Sequence, residues 1–249
     1  MDCIVNSKFI ELNAEILDIP KVFHTKGALL FQHRNIIKTM DINDITLNVK
    51  SFRIPHIINR FAYKYIRQSK AKRSYKYAEK LLNLGISTPQ PVAYIENSNL
   101  LGLTESYYIS LQSNCDYVFK DLLSRNISEI EDILIEFTRF TYNMHSKGVF
   151  FIDHSPGNTL ISKTDNGYDF CLVDLNRTKF YNKEISLDLG IKNFYRLGST
   201  PEMVEVMAKE YALLRGADEE YVLNKMMQQT MAHNLAVAKK KAKRKRLDK

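Results

Sequence analysis

Short apolar runs alternating with polar positions dominate the first half of the chain, and helical spacing takes over in the second. Residues 21–52, KVFHTKGALLFQHRNIIKTMDINDITLNVKSF, alternate in runs broken at Lys26-Gly27 and at Asp41 to Asp44, which predicts a strand meander. Residues 57–84 contain neither Gly nor Pro and place apolar side chains at 58, 61, 65, 77, 78, 81 and 82. That spacing predicts one or two basic amphipathic helices, ended by Gly85. Pro89 and Pro91 return the chain to extended structure, and a strand pair is expected at 91–96 and 106–112. Residues 128–147 keep one apolar face up to Gly148, and Ser128 with Glu131 three places on reads as a capping box. A loop and a strand at 159–162 follow, then a turn at Asp165-Asn166-Gly167 and a strand at 169–175, a hairpin by its turn chemistry. From 186 onward the pattern is helical, with Pro201 suited to a first turn and Gly216 to a helix end. No internal repeat or linker interrupts this order.

At 249 residues and 45% hydrophobic content, the chain is long enough to bury one large core or two smaller ones. Cys3, Cys115 and Cys171 are far apart and odd in number, which argues against a disulfide framework or a zinc site and for a reducing compartment. The start, MDCIVNSKFIELNAEI, has no basic stretch followed by an apolar one, and no run approaches membrane-spanning length. The expectation is a soluble, cytoplasmic protein.

The formal charge of +8 is concentrated in two places. Between Lys50 and Lys80 there are ten Lys and Arg against the single acid Glu79, and from Lys239 to Lys249 eight against Asp248, so the remaining chain is net acidic. Such segments point to an anionic partner, whether phosphate, nucleic acid or an acidic membrane surface. For the tail, a solvated and frayed end is the competing explanation.

The chemistry concentrates around residues 151–162, FFIDHSPGNTLI. Asp153 and Asn158 lie on the loop before the hairpin and Asp174 ends its second strand, so a tight hairpin brings all three to one sheet edge. Oxygen donors so placed suit a hard divalent cation such as Mg²⁺, which keeps some sites for substrate phosphates. Singly, each residue has a structural explanation: a turn cap, a left-handed position, a strand end. Asp153, His154 and Ser155 spell a triad in order, but adjacent side chains diverge where a working triad converges from separate segments. His145, near a helix end, reads as a packing or hydrogen-bonding residue.

The order D(x4)N, strand, turn, strand, D resembles the catalytic loop and metal-binding segment of the protein-kinase-like fold, HRDxxxxN and DFG. More narrowly, MHSKGVFFIDHSPGNTLI with LVDLNR resembles the bacterial lipopolysaccharide core kinases, the Kdo and heptose kinases, as do RNIIK, LNVKSFRIP, SKAKRSYKYAEKLLNLGISTPQPVAY and NFYRLG. The resemblance spans roughly residues 20–235. It implies an α+β, two-lobed kinase-like fold: an N-terminal lobe over 1–112, a C-terminal lobe over 113–236 and a basic tail over 237–249. It also implies ATP and Mg²⁺ as cofactors. Asp153 would be the catalytic base, Asn158 and Asp174 the metal ligands, and Lys50 the contact to the α and β phosphates. The partner of Lys50 would be Glu79, the one acid between Asp44 and Glu96, unless the family's glutamate belongs one helical turn earlier, where Lys76 stands. Gly27 is the one glycine offered for a phosphate loop, placed by the pattern at a hairpin tip, though a turn needing positive φ explains it equally.

Phe151 stands where kinases carry His, Asn176 where they carry Gly, and no APE-like motif follows, which points away from a protein substrate. The resemblance implies instead a hydroxyl of an inner-core lipopolysaccharide sugar on lipid A, most plausibly Kdo. Lys64, Arg67, Lys70, Lys72 and Arg73 are then candidates for holding the anionic acceptor. The tail is a candidate contact to an anionic membrane surface, with the protein cytoplasmic and peripheral to the inner membrane. The competing functions are a small-molecule kinase of the aminoglycoside or choline type, which would want an acidic acceptor pocket, a degenerate kinase-like scaffold, and a nucleic-acid-binding module, disfavoured here.

Overall fold

The computed structural model describes residues 1–54, 63 and 67–247. The chain divides into two compact units, Met1–Ser113 and Asn114–Lys249.

The first unit is built on a six-stranded antiparallel sheet. Its strands are β1 (Asp2–Val5), β2 (Ala28–Gln32), β3 (Ile36–Ile42), β4 (Ile45–Ser51), β5 (Pro91–Asn99) and β6 (Gly102–Leu111), in the order β1-β5-β6-β4-β3-β2. Alternation along β4 sends Leu47 and Val49 to one face and Lys50 to the other. Helix α1 (Asn13–Val22) covers the first face, where Ile16, Ile19 and Phe23 pack with Leu47, Val49, Ala93 and Ile109. Helix α2 (Lys70–Asn83) covers the second, setting Ala71 and Tyr75 on Phe52 and Tyr94. Ser69 caps α2 by accepting from the Lys72 N–H at 3.1 Å, and Gly85 leaves it at φ 66°. Of the predicted 57–84 helical region, residues 55–62 and 64–66 lie outside the described residues.

Two expectations for this unit need correction. Residues 21 and 22 close α1, so the meander starts at Ala28. Gly27 is not at a hairpin tip. It precedes β2 at φ 85°, where an added Cβ would lie 2.6 Å from the Thr39 carbonyl oxygen, so close backbone approach explains it. Gln32 pairs with Ile36, so the β2–β3 turn is His33-Arg34-Asn35, closed by the His33 N–H donating to the Asn35 carbonyl.

The second unit contains β7 (Tyr117–Val118), α3 (Phe119–Leu122), α4 (Ile127–Ser146), β8 (Val149–Phe151), β9 (Thr159–Thr164), β10 (Gly167–Leu172) and β11 (Thr178–Phe180). After these come α5 (Leu187–Lys192), α6 (Pro201–Arg215) and α7 (Glu219–Leu247). Strands β10-β9-β7 form one small sheet and β8 pairs with β11. The core gathers Leu134 and Phe137 of α4, Phe170 of β10, Phe194 from the segment after α5, Met207 and Tyr211 of α6, and Val222 and Met226 of α7. The cap of helix α4 lies two residues earlier than predicted. Asn126 holds the extended cap geometry and its Nδ2 donates to Glu129 Oε1 at 2.8 Å, whereas Ser128 already lies inside the helix. Helix α7 continues through the expected tail boundary, with residues 235–245 exposed.

Candidate active site

Strand β8 delivers the chain into a loop whose own hydrogen bonds fold it back. The Ser155 N–H donates to the Asp153 carbonyl at 2.7 Å and the Asn158 N–H to the Ser155 carbonyl at 2.9 Å. Asn158 then reaches back with its side chain, Nδ2 donating to the Asp153 carbonyl at 2.8 Å. The Val173 N–H donates to the Asn158 carbonyl at 3.0 Å, extending the β9–β10 ladder by one rung beyond Leu172 and Thr159. Asp174 comes next, so Asp153, Asn158 and Asp174 meet at one end of the hairpin. Asp174 itself is left-handed, at φ 61° and ψ 51°, and its Oδ1 accepts from Asn176 Nδ2 at 2.7 Å. A non-glycine residue in this region costs about 1 kcal/mol or more, and such outliers gather at functional sites.

Three residues assigned no role from the sequence hold this loop. Arg196 donates through Nη1 to both the Ile152 carbonyl, at 3.1 Å, and Asp153 Oδ1, at 2.8 Å. Arg177 Nη1 reaches the same Oδ1 at 3.2 Å. Asn193 Nδ2 donates to the Phe151 carbonyl at 2.7 Å, and its Oδ1 lies 2.9 Å from His145 Nε2, whose Nδ1 in turn meets the Tyr211 hydroxyl at 2.9 Å. Three consecutive residues, 151 to 153, are thus gripped from Asn193 and Arg196. The signals in the sequence were NFYRLG, which holds Asn193 and Arg196, and LVDLNR, which ends at Arg177, both landmarks without a chemistry assigned to these residues. Burial pushes the His145 imidazole down to about 4 and the His154 imidazole to about 3. His154 packs between Phe137 and Phe151, with ring centroids 5.3 and 5.7 Å away. A weak pull from the Asn193 backbone opposes burial there without reaching hydrogen-bond geometry. Buried among these rings, His154 has no part in a Ser-His-Asp relay.

In the first unit, Lys50 is buried on the α2 face of the sheet, its Nζ 5.3 Å from the centre of the Phe52 ring. The register runs Lys50, Tyr108, Tyr94 across β4, β6 and β5, and Tyr75 of α2 meets Tyr94 edge-on. Glu79 follows Tyr75 by one turn and accepts from its hydroxyl at 2.9 Å, while Lys76 points to solvent. Lys50 thus lies on the sheet face that α2 covers, and Glu79 of α2 is engaged by Tyr75. Among the acceptor candidates, Lys70 is exposed and Arg67 stacks 5.5 Å over Tyr63. Lys72 is engaged by Asp2 at 2.8 Å, which drives its ammonium pKa upward, and Arg73 Nε donates to the Ser69 carbonyl. Lys64 lies outside the described residues.

Comparison of this architecture with solved structures finds WaaP, in complex with acyl carrier protein, at a TM-score of 0.63 and 16% identity. The match covers 94% of this chain and 99% of that one. The chain has the kinase-like fold of WaaP. No protein-family model matches it, and no curated protein matches it in sequence. Since 1072 solved chains match at the level of fold, the fold by itself names no substrate. Among the described residues no helix is long and apolar enough to cross a membrane.

Proposed function

We propose that the protein is an ATP- and Mg²⁺-dependent kinase that phosphorylates a hydroxyl of an inner-core lipopolysaccharide sugar, Kdo. The observation that supports this best is the meeting of Asp153, Asn158 and Asp174 at one hairpin end within a kinase-like fold. Donor chemistry fits the cation. Because Asn158 Nδ2 is committed to the Asp153 carbonyl, its Oδ1 is the atom turned to ligation, and Asp174 adds a carboxylate oriented by Asn176. Among the described residues no three of His, Cys, Asp and Glu cluster as an all-protein cage requires. Mg²⁺ needs none, being held by one or two protein oxygens plus phosphates. When bound, it offsets the phosphate charge.

The chain's own residues do the rest. Both arginines bind Oδ1 of Asp153, so Oδ2 is the oxygen that orients the acceptor hydroxyl and takes its proton. Arg196 and Asn193 hold the loop so that this oxygen stays in place. Lys50 would contact the nucleotide phosphates, with Glu79 on the covering helix as its partner. The turn between β2 and β3 offers His33 and Arg34 to phosphate in place of a glycine-rich loop. The supports for the lipopolysaccharide acceptor are the motif resemblance over most of the chain and the basic residues Arg67, Lys70 and Arg73. The projecting α7 would add attraction to an anionic membrane surface of about 1 kcal/mol per basic residue. Acyl carrier protein, with which WaaP was solved, is a second candidate partner, tested by whether it co-purifies with this chain.

The deciding experiment incubates the purified full chain with ATP, Mg²⁺ and Kdo-bearing lipid A, and reads phosphate transfer by mass spectrometry. Transfer should need the metal, vanish in Asp153→Ala and Asp174→Ala, and survive Ser155→Ala. Salt-sensitive nucleic-acid binding without phosphotransfer would sink the proposal.

A further inference from the structure

Two guanidinium groups meet the Asp153 carboxylate, and they do so differently. Arg196 is turned inward: its Nη1 serves both the Ile152 carbonyl and Asp153, and its side chain is 30% exposed. Arg177 makes one longer contact, at 3.2 Å, and its side chain is 55% exposed. A guanidinium carries five N–H donors in a planar fork, and Arg177 commits Nη1 to the carboxylate while its side chain stays more than half exposed. An exposed ion pair of that length contributes little to folding. Of the basic residues on α2, meanwhile, Lys72 is engaged by Asp2 within the first unit.

We infer that Arg177, backed by Arg196, reads an oxyanion on the acceptor. The hydroxyl that Asp153 activates then belongs to a sugar carrying a carboxylate or phosphate close to that hydroxyl. This rests on the kinase reading above and moves charge recognition from the α2 lysines to the catalytic loop. Arg196 is the positioning residue of the pair and Arg177 the specificity residue. The fork geometry favours planar, two-point docking of the anion, which a lysine at 177 would not reproduce.

The test separates this from the kinase reading by measuring binding without nucleotide. Calorimetry on the full chain compares three probes: Kdo, its methyl ester, and glucose 6-phosphate. The intact protein should prefer one of the anions to the ester by about ten- to hundredfold, the range of a charge-assisted contact. Arg177→Ala and Arg177→Gln should abolish that preference and Arg177→Lys should restore it only in part. The anion whose binding falls names carboxylate or phosphate as the group read. Binding of neither anion above the ester by the intact protein, or an unchanged preference in Arg177→Ala and Arg177→Gln, overturns the inference. Failure of the kinase reading shows separately, as metal-dependent ATP turnover no different between the intact protein and Asp174→Asn. Because Arg177 is more than half exposed, its variants should melt with the intact protein, and a melting curve checks this.

Discussion

Asp174 combines a left-handed backbone with a carboxylate, and the two demands separate by substitution. Asparagine tolerates this region nearly as well as aspartate, so Asp174→Asn should change stability by less than about 1 kcal/mol in a denaturant titration. Metal-dependent phosphotransfer should nonetheless fall at least about a hundredfold, since a neutral amide is a weaker partner for Mg²⁺. His154 offers the opposite case. Its ring nitrogens lack hydrogen bonds in an aromatic pocket, so His154→Leu should hold or raise the melting temperature at pH 7. Both buried imidazoles are depressed in the fold, so the unfolded chain binds more protons below the ordinary value of 6.5. Stability is then full above about pH 6.5 and is lost as pH falls through the folded values, by on the order of 3 kcal/mol for His145 by pH 4. His154→Leu should flatten that acid slope, and a melting series from pH 7 to 4 that keeps its slope would refute the assignment.

At the scale of elements, what was readable depended on whether a signal was local. The β9–β10 hairpin was legible because Asp165-Asn166-Gly167 is turn chemistry in three adjacent letters, and α6 because Pro201 and Gly216 mark both ends. The cap of α4 was misread by a short step, since Asn126 with Glu129 and Ser128 with Glu131 carry the same pattern and only the backbone at 126 decides between them. The turn of the β2–β3 hairpin was hidden because Gly27 looks like a tip residue, while the actual turn, His33-Arg34-Asn35, contains no glycine. The grip of Arg196 on Asp153 spans 43 positions, and no local pattern encodes it. Gly190 makes the same point for packing. A Cβ there would strike the Tyr211 hydroxyl and crowd His145, so Gly190→Ala should destabilise by about 1–3 kcal/mol and also lower turnover through the loosened loop. Thermal melting with steady-state kinetics checks both effects.

For the whole molecule, each unit buries its own core, and the charge segregates with the architecture. The last tie of α7 to its unit among the described residues is Asn234, whose Nδ2 donates to the Ser199 carbonyl at 3.1 Å. Beyond it, residues 235–245 are exposed, and six of residues 239–245 are Lys or Arg. Removing residues 235–249 should leave the melting temperature within about 1 °C. The same deletion should weaken adsorption to anionic vesicles, an effect that fades with added salt. Sedimentation with vesicles of varied phosphatidylserine content measures it, and unchanged binding after deletion would place the contact elsewhere.

By itself the sequence determined the alternation of strands and helices, the hairpin, the basic segments and the spacing of Asp153, Asn158 and Asp174, because each is set by neighbours within a few residues. The tertiary structure alone decided that Arg177 and Arg196 share one oxygen of Asp153, that Asn193 and His145 brace its loop, and that Lys72 is spent on Asp2. Those pairings join residues from 24 to 70 positions apart, and only a packed core brings such distant side chains within hydrogen-bonding reach.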